Sequence, residues 1–421
     1  MNNFFTLYVY ELKKIFHRKI VWITIGILIA IAVSMVITAP LSSTYSVTTG
    51  STTVEMNGFE YLAYEKENAQ MQNGQKIDDS LLEEVAEAYR GWHMVEEDGE
   101  EDGSNIASTT IAGDFTDEDM EERAIKREQY KEIYDYVYYI TGDYEAIYSI
   151  DADTLYQTRN DKLQYTWTEQ QLTEGEQAYW LETESALDEP YTYGYAGGWE
   201  IILEEFLTLN IMLFLAIAVC LANTFSDEHV RKTDQLILCS RYGRTRLFFA
   251  KIMAGVTFGV GSGMMFLLTA ILTTLLVYGA EGADVAVQIY LPMCSRNMTV
   301  SQTVLLMSGV YVVASILYSI FAMFLSEAMK NGVAVMGIMT ASMMFTMLVG
   351  IPYRFRLLSQ IYELLPTVLV SVWQLWDDRL VKIGGVYLTN FQIAPMIYII
   401  ISGLLIIWGS KVYKNYQVSG R

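Results

Sequence analysis

The sequence predicts an α-helical membrane protein with six transmembrane helices, cytoplasmic N- and C-termini, and a mainly helical, acidic extracytoplasmic domain between helices 1 and 2. Three observations carry this reading. Apolar runs long enough to cross a bilayer recur along a chain of 421 residues, 52% of them hydrophobic. Charge is segregated: residues 41–199 hold 36 acidic against 9 basic side chains, and the remainder is mildly basic, although the whole carries -21. Lysine and arginine gather before the first apolar run, between the second and third and after the last, as they do where loops face the cytoplasm, although Arg354, Arg356, Arg379 and Lys382 fall on the opposite side.

Residues 1–19 come first. Phe4, Phe5, Leu7, Tyr8, Leu12, Ile15 and Phe16 recur at helical spacing, with Lys13, Lys14, Arg18 and Lys19 towards the end. This is the pattern of a helix lying in the cytoplasmic interface. Residues 20–40 supply about 20 apolar positions, enough to cross about 30 Å. Pro40-Leu41-Ser42 is a poor cleavage site, so an uncleaved span is expected rather than a signal peptide.

The acidic block, 41–200, is expected outside. Asp79 or Ser80 is expected to cap a helix with Leu81, Leu82, Val85 and Tyr89 on one face. A second helix is expected over 116–139, with Thr116 as cap. Its many tyrosines and tryptophans argue against disorder. The run 96–102, EEDGEED, reads as a solvated loop without EF-hand spacing. The membrane resumes from 201, with further spans over 206–225, 247–278, 303–325, 333–351 and 391–408. Gly255, Gly259, Gly261 and Gly263 in the third allow close helix contact. The region 352–390 is apolar in its first half but interrupted by Glu363 and Pro366, which predicts a re-entrant or surface helix pair.

Some chemistry is excluded. The three cysteines all lie outside the acidic block, which therefore has no disulfide framework. Three scattered histidines and no HExxH or CxxC argue against a zinc site. Walker A is absent, so no ATP cradle of that kind exists in this chain. No cofactor, metal or nucleic-acid partner is expected. Glu204 and Glu205 could suggest an enzyme with paired carboxylates, but neighbours on a helix point about 100° apart.

The polar, basic stretch 225–251 lies between the second and third spans. It carries Glu228, Thr233, an apolar turn at Leu236, Ile237 and Leu238, then Arg244, Arg246 and Lys251. In this order it resembles the loop of ABC-2 type permeases, in which an acidic residue precedes Gly-Thr, a leucine-rich turn, Pro, Arg and a Lys opening the next span. Lys232 stands in place of the Gly and Arg241 in place of the Pro. Tyr10-Glu11-Leu12-Lys13-Lys14 and the six-span plan are also similar to this family. The likeness covers the membrane portion and not the insert.

The resemblance implies the permease subunit of an ATP-driven exporter in a bacterial plasma membrane. It implies a separate ABC ATPase subunit that binds ATP and Mg, and a second permease subunit, in a homodimer or a heterodimer. Residues 225–251 would form a coupling helix, with Leu236 and Leu238 as apolar anchors and Glu228, Arg244 and Arg246 fixing its angle. The acidic outer domain points to an amphipathic or peptide-like substrate. The competing reading is a non-transporting sensor or resistance protein, whose outer domain binds a peptide or envelope component.

Overall fold

The computed structural model describes residues 2–49, 52–90, 92–95, 108–111, 117–230, 233, 243 and 245–415. Helix α1 spans Asn2–Phe16 and α2 Lys19–Ser42. On α2 only Val21, Ile25, Ala32, Val36 and Pro40 are buried, a stripe at helical spacing, while Trp22, Ile23, Ile27, Ile31 and Met35 stay exposed. An apolar helix with one packed stripe and an apolar outer face suits lipid better than water.

The insert follows. Strands β1 (Thr44–Thr49) and β2 (Thr52–Asn57) pair antiparallel, with Thr44 opposite Asn57. Helix α3 (Gly58–Gln70) starts from a capping box of Asn57 and Glu60. Helix α4 (Asp79–Tyr89) buries Leu81, Leu82, Val85 and Tyr89 as expected, but its cap is Asp78, one residue earlier than predicted. The Asp78 carboxylate accepts from the Leu81 amide at 3.2 Å. Asp79 instead accepts from the Ala152 amide at 2.7 Å, pinning the start of a later helix. A second hairpin, β3 (Trp92–Val95) with β4 (Ser108–Ile111), precedes α5 (Asp117–Thr141). Helices α6 (Ala152–Glu169) and α7 (Glu174–Glu184) complete the insert. The acidic run 96–102 and the expected cap Thr116 lie outside the described residues.

The apolar helices then alternate. They are α8 (Gly197–Leu221) with its continuation α9 (Asn223–Val230), α10 (Arg246–Tyr278), α11 (Val300–Met329), α12 (Gly332–Leu348) and α15 (Asn390–Asn415). Between the last two lie the short helices α13 (Arg356–Glu363) and α14 (Pro366–Leu369), then a hairpin of β5 (Leu380–Ile383) and β6 (Val386–Thr389). Among the described residues five helices are long and apolar enough to cross a membrane: α2, α8–α9, α10, α11 and α15. A sixth candidate is α12 together with 353–363, which turns away by 119°. The 17 residues of α12 alone rise only about 25 Å, short of a hydrocarbon core of about 30 Å. The chain is thus a helical, multi-pass membrane protein.

Helices α8, α10 and α11 pack on one another; α15 and α12 lie against α11, and α1 and α2 against α10. Three of the four expected glycines sit at these contacts. A methyl group on Gly255 would meet Met323, on Gly259 Ser319, and on Gly263 Leu213; Gly261 faces open space. The helices have two ends. At one, here the loop end, Arg18, Asp227, Lys251, Ser326 and Tyr413 come together through direct contacts. At the other stand the insert and the segments 279–299 and 349–389. The insert is not a free-standing lobe: Ile289 belongs to its main core with Leu82, Tyr134 and Tyr156, and Leu380 to its second core with Trp167 and Trp180.

Candidate functional site: the two ends of the basic loop

The helix break at Ala222 is what positions the site. At the start of α9 the amides of Phe225 and Ser226 donate to Ser326 Oγ of α11, at 3.0 and 3.2 Å. The same hydroxyl donates to the Ala222 carbonyl at 2.6 Å. One serine thereby satisfies backbone groups that the break would leave orphaned. Arg18, in the link between α1 and α2, donates to the carbonyls of Cys220 and Asn223 at 3.4 and 3.3 Å. It also pairs with Asp227 at 2.9 Å. A cation at the C-terminal end of α8 suits both its free carbonyls and its dipole.

Glu228 follows on α9, and its carboxylate meets Lys251 of α10 at 2.6 Å. Lys251 is fully buried. Its ammonium also donates to the Thr224 carbonyl at 3.2 Å and lies 4.7 Å from the centre of the Phe225 ring. Glu228 lies 3.7 Å from Lys14 Nζ, which is 2.7 Å from the buried Glu11. The Thr233 amide donates to the Glu228 carbonyl at 3.0 Å. The structure therefore brings together Glu228, Thr233 and Lys251, three of the residues singled out from the sequence. Arg246 opens α10 and is exposed. Leu236, Leu238 and Arg244 lie outside the described residues, as do Lys232 and Arg241.

Sequence reasoning missed the contribution of α1. Glu11 and Lys14 are one helical turn apart, a spacing that permits an ion pair. Nothing local indicates that the pair closes on Glu228. The basic loop thus enters and leaves the bundle through a joined acid and base, backed by α1 and α11. Among the described residues no group of three His, Cys, Asp or Glu side chains could hold a metal ion. Glu204 is exposed, whereas Glu205 is partly buried and accepts from Thr274 Oγ1 at 3.4 Å, so the two adjacent glutamates stand in different surroundings.

A second polar cluster, at the insert end, was not foreseen. Asp378 Oδ2 accepts from Trp167 Nε1 at 2.8 Å and from Ser295 Oγ at 3.2 Å, and its carbonyl accepts from Trp180 Nε1 at 2.5 Å. Glu176 pairs with Arg356 at 2.6 Å and accepts from the Leu380 amide at 2.8 Å. Arg379 is fully buried against Asp377 at 2.7 Å, and Asp377 also accepts from Asn390 Nδ2 at 2.9 Å. Arg159, equally buried, pairs with Glu184 at 2.7 Å and donates to the Pro292 carbonyl at 2.6 Å. Burial pushes the Asp378 carboxyl up to about 7, against the opposing pull of Arg296 and the Trp167 hydrogen bond.

Searches against family models, curated proteins and solved structures find no match to this chain.

Proposed function

We propose that the chain is the membrane subunit of an ATP-driven exporter, with residues 225–251 as the handle through which a separate ATPase acts. The observation that carries the reading is the Glu228–Lys251 pair, 2.6 Å long with the lysine fully buried. Because the two ends of the basic loop are locked together, a displacement imposed on it passes to α8–α9 and α10 at once. Lys14 and Ser326 extend the connection to α1 and α11. The order of residues in the loop, similar to that of ABC-2 type permeases, supports the same reading.

In this reading the ATPase subunits bind ATP and Mg, and this chain supplies no cofactor site. Leu236 and Leu238 dock in the ATPase, while Arg244 and Arg246 set the angle. A second permease subunit completes the transporter. The insert lies outside the cell, and the substrate is amphipathic or peptide-like.

The test is reconstitution with an ATPase that copurifies with the chain. Leu238→Asp puts a charge at the expected apolar anchor. The expected result is loss of substrate-stimulated ATP turnover with basal turnover kept. Unchanged stimulation, or failure of any ATPase to copurify with the full chain, removes the reading.

A further inference from the structure

Helix α13 is turned inside out. Its polar side chains are spent on the protein: Arg356 pairs with Glu176 at 2.6 Å, and Ser359 Oγ accepts from Arg379 Nη1 at 2.6 Å. Gln360 donates to the Leu380 carbonyl at 3.3 Å, and Glu363 accepts from Gln374. Its aliphatic side chains point outward, with Leu357, Leu358 and Ile361 exposed at 74%, 56% and 55%. Phe355 before the helix and Leu365 after it are exposed as well. A surface helix in water shows the reverse arrangement, with the apolar stripe inward and the polar face outward.

We propose that α13 is a membrane anchor. It lies in the leaflet on the insert side, with Leu357, Leu358 and Ile361 against the acyl chains of phospholipids. The proposal does not rest on the exporter reading. It needs only the multi-pass character that the apolar helices give the chain.

Position is the first ground for lipid as the occupant of this face. The segment 353–363 leaves α12 at 119°. A turn beyond a right angle carries it back toward the level of α12, not away from the bundle. The Tyr362 hydroxyl holds it there through the carbonyls of Thr346 and Val349. Phe345 and Leu348, in the last turn of α12, are likewise apolar and exposed. The medium that bathes the end of α12 therefore bathes α13.

The second ground is what borders the stripe. Arg354 is exposed at its start and has no acidic partner among the described residues; its guanidinium lies 4.8 Å from the centre of the Phe355 ring. A cation on the edge of an apolar surface reaches for lipid phosphates. Tyr353 and Trp373, both partly exposed, share a cleft with Tyr362 and Glu363. Tyrosine and tryptophan rings favour the headgroup level of a bilayer. On the inward face Arg356 grips Glu176 of α7, so the anchor also fixes the base of the insert at the membrane surface.

The experiment uses the full chain in liposomes of dioleoylphosphatidylcholine at high lipid excess. The photoreactive residue p-benzoylphenylalanine is placed in turn at the position of Leu358, of Ile361 and, as a control, of Glu83 on the exposed side of α4. After irradiation, intact mass is expected to rise by one phospholipid with the probe at 358 or 361 and to stay unchanged with it at 83. Fragmentation is expected to place the new bond on an acyl chain. All three replaced side chains are exposed, so each labelled protein should unfold at the wild-type temperature, and 361 gives the answer should the probe at 358 disturb folding. The proposal is overturned by absence of lipid adducts at both positions, by adducts on headgroup atoms alone, by an equal yield at 83, or by crosslinks to a second copy of the chain in place of lipid.

Discussion

Lys251 is buried in the bundle, and among the described residues its ion pair is with Glu228, with Glu11 adding a further attraction. Removing one member of such a pair is far worse than removing both, because a lone buried charge keeps its desolvation cost without its attraction. Lys251→Met should therefore destabilise the protein by about 3–5 kcal/mol, whereas Lys251→Met with Glu228→Leu should recover most of the loss. Thermal unfolding in detergent of both single variants and the double variant measures this cycle. Additive losses would mean that the two side chains do not depend on one another. Glu228 and Lys251 were legible from sequence because charges at the edges of apolar helices are few, and each had an expected place in the loop. Glu11 and Lys14 were visible as residues, but their approach to Glu228 depends on how α1 lies on α10, which no local pattern encodes.

Asp378 offers a second test at the same scale. Its carboxyl titrates at about 7 in the folded protein, because burial disfavours the charge, against about 3.9 in an unfolded chain. Between these values the folded state holds a proton that the unfolded state has released. Stability contributed by the neutral form is therefore full below about pH 4, falls as pH rises to about 7, and is constant above. Asp378→Asn removes this dependence, so the difference in unfolding temperature between wild type and variant should change across about pH 5 to 7 and level off above. A constant difference would show that Asp378 does not titrate in that window. Nothing local in Trp376-Asp377-Asp378-Arg379 signals this burial, since the partners Trp167 and Trp180 lie some two hundred residues away.

At the scale of elements, the crossing of α10 and α11 rests on Gly259. A β-carbon there would collide with the Ser319 hydroxyl and crowd the Ser315 carbonyl. Gly259→Ala should cost about 1–3 kcal/mol by forcing the helices apart, and adding Ser319→Ala should return part of it, since the serine oxygen is the nearest obstacle. Gly261→Ala, with open space around it, should be neutral or slightly stabilising through helix propensity. Unfolding temperatures of the three variants check the order; equal effects at 259 and 261 would exclude close packing at this crossing. The spans themselves were readable because twenty apolar residues admit few alternatives to a helix in lipid. The turn after α12 was readable only as an interruption. Glu363 and Pro366 interrupt the apolar run at the end of α13, but the 119° change of direction falls earlier, between Leu348 and Tyr353, and across it the Tyr362 hydroxyl reaches back to the carbonyls of Thr346 and Val349.

At the scale of the whole molecule, the insert and the segment before α15 form one interlocked unit. Trp167, Gln170, Glu176 and Trp180 of the insert all bond to residues 376–380, and Asp377 in turn receives a hydrogen bond from Asn390, the first residue of α15. Composition alone divides the chain into an acidic insert and a basic membrane part, which hides this connection. Any load on the insert thus reaches a membrane helix through about ten residues of hairpin. Replacing 51–189 by a short flexible linker removes every insert partner of Asp378 and the tryptophans that pack on Leu380. The hairpin Leu380–Thr389 should then lose amide protection in hydrogen exchange, while the contact of α10 with α11, which uses no insert residue, keeps its own. Loss of protection confined to the hairpin and the start of α15 would trace the mechanical route from insert to membrane. Full protection of the hairpin without the insert would show that the route does not exist, because a segment that is rigid by itself needs no clamp to hold it.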